Sequence, residues 1–473
     1  MLKFCLQDCL YDLQQFPERD KTQEAPRYPA CLFVNIKATI PLSLERLKVL
    51  KTGVAMSIVA PNGRPPLAAA ALFGLMRTGF ALRPDPRFGG ADMSCTDARM
   101  SAFARCALTS PSRLAFDNAR AEGHGATVDG MARVPGDTPL RESLDPVPPE
   151  ALRLLFQRVV RPLQRGKALE PLVCVEGGDL LALEGTGYVS STTIHGASCR
   201  QQVHRHGSMT YAPQLLGAAI VHPDGRDVMP VMPEARVTHD AEGHHAGERH
   251  AAKRFLTMVR QDHPHLQCRI TEDRLRAKAP PLEVRQDHGV HDILGVNEGD
   301  HASRFQQVPA APHAGRVTSE ERHARAAQVI QRCRLGTDVP RHASNPAVLV
   351  HVIESWEMGD PKVPHGRGGT AFRVTTRTVF RLRWGGRARW KIDHETFKTL
   401  HHPGDHCEHH DGHGEQNLSV VCAMLMRLAF LVDQSQPRCG ALFQAAGAQL
   451  GRQRLRWERM RAWFDAEALA STR

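Results

Sequence analysis

The sequence predicts an α/β protein in which a mixed β-sheet is flanked by helices. Between residues 179 and 235 the apolar residues occur in short runs typical of strands, and the runs on either side of a Pro-Asp-Gly turn at 223–225 indicate a hairpin. Residues 247–261 then carry apolar side chains at helical spacing. Residues 266–270 alternate between apolar and polar, like a strand with one buried face. The period therefore changes from strand to helix and back to strand.

The order of these elements predicts the kind of core. From residue 179 the pattern gives three antiparallel strands, a helix and a further strand. The first strand carries Glu184 and the strand after the helix ends at Asp273. This β-β-β-α-β order with an acid on each of those strands is the layout of an RNase H-like nuclease core. Acids at strand ends are also common on solvated surfaces, so the order alone leaves both interpretations open.

Shorter stretches complete the assignment. "PLVCV" at 171–175 is predicted to be a strand, and "PAVLVHVIESWEM" from residue 346 belongs to a region of mixed strand and loop. "GRGG" at 366–369 is predicted to be a loop, and no strand-to-helix frame makes it a phosphate-binding one. The apolar stretches at 67–76 and 418–432 are too short to span a bilayer and are predicted to be core helices.

Composition points to a cytoplasmic protein with a polyanionic partner. The 473-residue chain has a net charge of +11, which favours nucleic acid, although an Arg-rich composition also arises from a GC-rich coding sequence. Aromatic residues make up 5% of the chain, which argues against a protein that stacks single-stranded bases. The twelve cysteines form no CxxC pair, and Asp8 and Asp12 interrupt the N-terminal apolar pattern, so we expect free thiols and no secretory signal.

A late segment, "GGRARWKIDHETFKTL" at 385–400, is predicted to be one helix that places an acid on its packed face. Steps of 100° per residue group Asp393 with apolar side chains and set Glu395 apart, beside two lysines. A carboxylate on an apolar face is costly unless it is paired or binds a metal. Either an ion pair with Arg389 or a metal site shared with the two strand acids would satisfy it. The predicted packed face consists of Trp390, Asp393, Phe397 and Leu400.

Several ordered motifs resemble one known family. The segments "LLALEGTGYVSSTTIH", "LLGAAIVHPDGRDVMPVMPE", "ERHAAKRFL", "GGRARWKIDHETFKTL" and "GHGEQNLSVVCAMLMRLAFLVDQ" are similar to bacterial insertion-sequence transposases of the DDE class. "DPRFGG", "SAFARCALTSPSRLAFD" and "VPGDTPLRESLDPVPPEALR" also match, so the resemblance covers roughly residues 79–473.

The resemblance implies metal-dependent phosphodiester chemistry. In that family three carboxylates hold two divalent ions, Mg²⁺ or Mn²⁺, which activate the attacking oxygen and stabilise the leaving one. By position the three acids are Glu184, Asp273 and Asp393, with Glu395 as an alternative third acid. The implied function is DNA cleavage and strand transfer at the ends of an insertion sequence.

The resemblance also implies the partners and the organisation of the chain. A homodimer would bind the terminal inverted repeats and target DNA in the bacterial cytoplasm, at the nucleoid and without a membrane. Residues 79–170 would form a helical DNA-binding region and 171–435 an RNase H-like catalytic domain with a β-rich insertion at about 300–385. A C-terminal helical tail would follow at 436–473, and residues 1–78 are an unassigned extension. The DNA-binding residues implied are Arg387, Arg389, Lys391, Lys253 and Arg254.

Departures from the family pattern keep two other functions open. The family has Asp at the position of Glu184 and Glu at that of Asp393, and each exchange moves the carboxylate by about 1.5 Å. His401, Asp405 and Gly196 also replace family residues. A catalytically inactive, DNA-binding remnant and a metal-dependent nuclease unrelated to transposition are therefore the alternatives. The histidine-rich stretch 401–415 could bind zinc, but it is predicted to be a surface loop.

Overall fold

The chain folds as a mixed α/β protein with one large mixed sheet and helices. This confirms the predicted fold class at the level of α/β architecture. Among the described residues, ten strands join the sheet. The computed structural model describes residues 69–83, 85, 93–107, 135–187, 191–193, 199–204, 206–235, 244–272, 290–295, 317–324, 329–342, 345–358, 366–370, 372–397, 414–439 and 444.

In the described part of the chain, four α-helices precede the sheet and pack with a long helix near the C-terminus. Their buried side chains and those of the central strands belong to one continuous apolar cluster. Phe73 and Phe103 meet edge to face in it, with ring centroids 5.5 Å apart. The helices are α1 (Ala69–Ala81), α2 (Cys95–Ala107), α3 (Asp137–Leu144), α4 (Arg153–Arg165), α5 (His244–Asp262), α6 (Val379–Arg387) and α7 (Leu418–Cys439).

The two apolar stretches predicted to be core helices are α1 and α7. Helix α7 is the one described helix that is long and apolar enough to cross a membrane, but 94% of its apolar window is buried inside the protein. That burial is typical of the core helix of a soluble protein. Arg427, which interrupts its apolar sequence, is itself 5% exposed.

The centre of the sheet has the strand order β4-β3-β1-β5-β6. Strand β1 is antiparallel to β3 and parallel to β5, and β5 is parallel to β6. The hairpin predicted around residues 223–225 joins β3 and β4, and α5 connects β4 to β5 as predicted. The strands are β1 (Asp179–Gly187), β2 (Cys199–Val203), β3 (Met209–Val221), β4 (Val228–Ala235), β5 (Cys268–Glu272), β6 (His291–Gly295), β7 (Val317–Ala324), β8 (Val329–His342), β9 (Asn345–Met358) and β10 (Gly366–Thr370).

The second half of the sheet is built by the β-rich region. Beyond β6 the order continues β10-β9-β8-β7, and each of these neighbouring pairs is antiparallel. The prediction of a loop at "GRGG" is wrong, because these residues form most of β10. Strand β10 forms despite the low strand preference of glycine, because it pairs with β6 on one side and β9 on the other.

"PLVCV" is not a strand. Its residues lie within and between two short 3₁₀ turns, Glu170–Leu172 and Val175–Gly177. Pro171 stands at the start of the first turn, where its missing N–H is tolerated. Glu176 has φ = +48° and Gly177 has φ = +71°, so the chain reverses before β1 instead of continuing as an extended strand.

Two adjacent glycines let α6 approach the sheet closely. A Cβ atom on Gly385 would lie 2.6 Å from Cγ2 of Val175, and one on Gly386 would lie 3.0 Å from Cγ2 of Ile293. The hydroxyl of Thr271 on β5 is 3.5 Å from the carbonyl oxygen of Gly386. Helix α6 therefore packs on one defined face of β5 and β6, and this contact positions the residues that follow it.

Candidate functional site

Strand β1 presents Glu184 on the face of the sheet that α6 covers. Leu180 and Glu184 share this face because side chains two or four residues apart along a strand point the same way. Leu180 lies 3.7 Å from the position of a Cβ on Gly385, which places it under α6. Glu184 pairs in register with Gly217 of β3, and its side chain is 17% exposed. A largely buried carboxylate thus lies at the end of the apolar part of β1.

The segment that carries Asp393 is not the single helix that its sequence predicts. Helix α6 ends at Arg387, a tight turn follows at 388–389, and residues Ile392–Phe397 form a π-helical turn. The prediction that Trp390 lies on the packed face is wrong, since Trp390 is 42% exposed. A π-turn closes i→i+5 hydrogen bonds, so the 100° step of an α-helix does not give the facing of this segment. Asp393 is half-buried, with 33% of its side chain exposed.

Arg389 joins the strand acid to the helix acid. Its Nη1 atom donates to Oε2 of Glu184 at 2.7 Å and to Oδ2 of Asp393 at 3.0 Å. Because both oxygens contact one nitrogen atom, they are less than about 6 Å apart, a span that ions about 4 Å apart could bridge. The ion pair of Arg389 with Asp393 that the sequence left open is therefore present, but it is shared with Glu184.

The other predicted acids have different positions. Asp273 directly follows the last residue of β5 and lies outside the described residues. Glu395 is half-buried, and its charge acts on Lys391. Within the described ranges, no group of three or more His, Cys, Asp or Glu side chains is placed to hold a metal ion. The assignment of the acids as metal ligands stays a prediction.

Lys391 is a buried cation. It is 3% exposed, its Nζ donates to the carbonyl oxygen of Gly225, and it lies 5.4 Å from the ring centroid of Trp390. Burial lowers the pKa of Lys391, and the nearby charge of Glu395 opposes that shift. The contact fixes the β3–β4 turn against the acid-bearing segment. Sequence reasoning missed this role, although it predicted the turn itself. Such burial is at odds with the predicted contact of Lys391 with DNA.

The remaining predicted DNA contacts differ in accessibility. Arg387 at the end of α6 and Lys253 on α5 are exposed. Arg254 has 38% of its side chain exposed, and it donates to Glu234 at 2.6 Å and to the carbonyl oxygen of Ala235 at 2.9 Å. Arg254 and Arg389 therefore each contact a carboxylate, and Arg387 and Lys253 are the more exposed cations.

Residues 401–413 lie outside the described part of the chain. They hold most of the histidine-rich stretch, including His401 and Asp405. Gly196 also lies outside the described residues. Comparison with known proteins gives no family assignment: the sequence matches no protein-family model, and no curated protein is significantly similar to it.

Proposed function

We propose that this protein is a transposase of the DDE class, which cleaves and joins DNA at the ends of an insertion sequence by metal-dependent phosphodiester chemistry. The observation that supports it best is the convergence of Glu184, from the central strand, and Asp393, from a late helical segment, on a single guanidinium group. These two acids are far apart in the sequence and come from two of the motifs that resemble the family.

The strand order supports an RNase H-like core as part of this proposal. Such a core has a central strand flanked by an antiparallel strand on one side and parallel strands on the other, with an acid on the central strand. Strands β4-β3-β1-β5-β6 have that order, and α5 crosses from β4 to β5. In sequence Asp273 comes two residues after Thr271, whose hydroxyl faces α6, and it is proposed as the second acid.

The residues present suit hard divalent cations. Carboxylate oxygens are the donors that Mg²⁺ and Mn²⁺ prefer, and those of Glu184 and Asp393 already meet at one positively charged group. Two ions, when bound, would activate the attacking oxygen and stabilise the leaving oxygen of the phosphodiester. The protein's part is to hold the carboxylates in place through the packing of α6 on the sheet and the Lys391 contact with the β3–β4 turn.

The proposed DNA surface includes Arg387, an exposed cation near this site in the sequence. Arg387 lies two residues before Arg389, and the chain carries a net charge of +11. Binding to duplex DNA should weaken steeply as salt is added, because each phosphate contact releases counterions. An affinity that is the same at low and high salt would contradict this part of the proposal.

An inactive DNA-binding remnant is the second candidate, and a specific observation favours it. Of the two acids that contact Arg389, Glu184 stands where the family has Asp, and Asp393 stands where the family has Glu. Each replacement shifts the carboxylate by about 1.5 Å. Ions about 4 Å apart tolerate little displacement of their ligands. A nuclease unrelated to transposition is the third candidate, and it would cut DNA without joining it.

Cleavage and strand transfer on DNA carrying the element ends would test the three candidates together. We expect Mg²⁺- or Mn²⁺-dependent cleavage and joining, abolished in Asp273→Ala and retained in the matched variant Glu395→Gln. The double variant Glu184→Asp with Asp393→Glu should be more active than the natural sequence, since it restores the family's oxygen positions.

The same assay separates the alternatives. Salt-sensitive DNA binding with no cleavage by any of these proteins would favour the remnant. Cleavage without joined product would favour the nuclease. Cleavage that persists in Asp273→Ala would contradict the proposed site.

A further inference from the structure

Arg389 holds together the two carboxylates that the proposed function assigns to metal binding. One nitrogen atom contacts both acids, at 2.7 Å and 3.0 Å. A single positive charge therefore lies between two negative charges, at the point where the side chains converge. A metal ion bridging these same oxygens would compete with the guanidinium, because like charges so close together repel strongly in a partly buried site.

We propose that Arg389 is a latch that keeps metal ions from the Glu184–Asp393 pair until DNA is bound, and that a DNA phosphate releases it. This inference rests on the proposed function. Before DNA binds, the guanidinium is the counter-ion of both acids. When a phosphate arrives, Arg389 exchanges its carboxylate partners for phosphate oxygens. Guanidinium pairs with either anion through the same N–H groups, so the exchange replaces one charge-assisted hydrogen bond with another.

The position of Arg389 allows this exchange. Its side chain is 23% exposed, so a phosphate can reach it from the solvent. It lies in the tight turn between α6 and the π-helical turn, where the N–H of Arg389 is 3.4 Å from the carbonyl oxygen of Gly386, a long hydrogen bond. Exposed Arg387, two residues earlier, provides a neighbouring positive charge for the same phosphate backbone. Lys391 cannot replace Arg389 in this role, since it is 3% exposed and bound to the carbonyl oxygen of Gly225.

The latch has a thermodynamic consequence that a purely structural ion pair lacks. If DNA removes the competitor of the metal ions, DNA must raise the affinity for metal. By linkage, metal must raise the affinity for DNA by the same factor. A structural ion pair would instead couple Arg389 to folding stability and leave metal affinity independent of DNA.

The test is Mn²⁺ binding, measured from the electron paramagnetic resonance signal of free Mn²⁺, in the presence and absence of a short DNA duplex. Arg389→Gln removes the latch, and Arg381→Gln is the matched control. Arg381 lies on α6 and pairs with Glu176 at 3.7 Å on the surface, so its loss changes the net charge equally. Glu184→Gln in each background identifies the Mn²⁺ bound at this site.

Without DNA, we expect Arg389→Gln to bind Mn²⁺ at least about tenfold more tightly than the natural protein, and Arg381→Gln to bind it as the natural protein does. The duplex should raise Mn²⁺ affinity in the natural protein and have little effect in Arg389→Gln. Equal, Glu184-dependent Mn²⁺ affinity in the natural protein and Arg389→Gln would overturn the latch but leave the metal site intact.

Two further outcomes are decisive. Absence of Glu184-dependent Mn²⁺ binding in every protein, with and without DNA, would overturn both the latch and the proposed function. If circular dichroism shows that Arg389→Gln does not fold, the test is the Mn²⁺ affinity of the natural protein with and without the duplex. In that case, a Mn²⁺ affinity that the duplex leaves unchanged overturns the latch.

Discussion

The start of α7 depends on a carboxylate from a distant part of the chain. Asp145, which follows α3, accepts hydrogen bonds from the backbone N–H groups of four consecutive residues: Glu415 (2.8 Å), Gln416 (3.1 Å), Asn417 (3.0 Å) and Leu418 (2.9 Å). The first N–H groups of a helix have no partner within the helix, and an anion there is also favoured by the helix dipole. Asp145 therefore caps a helix that is largely buried inside the protein.

We expect Asp145→Ala to destabilise the protein by about 3 kcal/mol. Glu415 and Gln416 are exposed, so their N–H groups can bind water in the variant. The N–H groups of Asn417 and Leu418 are partly buried, and losing a charged acceptor costs each about 1 to 1.5 kcal/mol. The lost dipole interaction adds about 0.5 kcal/mol.

The assay is the thermal midpoint, which should fall by about 6 °C if each kcal/mol shifts it by roughly 2 °C. Asp145→Asn should fall less, since its amide oxygen can still accept from one or two of the donors. Glu170→Ala is the matched control. Its ion pair with Lys167 is more than half exposed, and its loss should cost under about 1 kcal/mol. An Asp145→Ala protein that melts with the natural protein would refute the reasoning.

Three further changes test a buried ion pair, a buried histidine and a close packing contact. Arg153→Ala should cost about 3 kcal/mol and lower the thermal midpoint, because Asp262, 5% exposed and 2.7 Å from Nε of Arg153, would keep a buried charge; an unchanged midpoint would contradict this. Burial lowers the pKa of His263 to about 4 from 6.5. Protons then bind preferentially to the unfolded chain, so the stability of the folded protein should fall as the pH is lowered from 6.5 towards 4. His263→Gln should reduce this pH dependence, measured by thermal melts at pH 7 and pH 5. The same pH dependence in both proteins would exclude His263 as its source. Gly385→Ala should destabilise the protein by about 1 kcal/mol net, because a Cβ 2.6 Å from Val175 overpacks the contact and this cost exceeds the gain in helix propensity. Adding Val175→Ala should relieve the overpacking. If the double variant is no more stable than the sum of the two single changes predicts, this contact is not the cause.

Local patterns predicted much of the architecture. The hairpin around the Pro-Asp-Gly turn, helix α5 and strand β5 follow directly from apolar periodicity and turn residues. Two errors in the strand assignment have different causes. "GRGG" is a strand because β6 and β9 pair with both of its edges, and "PLVCV" turns because of the positive φ angles at Glu176 and Gly177.

The candidate site divides in the same way. Sequence alone singled out Glu184 and Asp393 as acids that interrupt apolar patterns, and it identified Arg389 as a partner of the second. It could not show that one guanidinium contacts both acids. Glu184 and Arg389 are 205 positions apart in the sequence, and they meet only when α6 packs on β1, β5 and β6. Nor could it show that Lys391 is buried, since nothing local distinguishes it from exposed Arg387.

The sequence by itself determined the α/β class, the order of the central elements and the residue types available for chemistry, because periodicity and turn preferences act over a few residues. Tertiary structure alone decided which charges meet. The tight turn and the π-helical turn at 388–397 determine the direction in which Asp393 points. The two glycines of α6 determine how closely that helix approaches the sheet. Ion pairing depends on distances of a few ångströms between segments far apart in the chain, and those distances are fixed only when the core is packed.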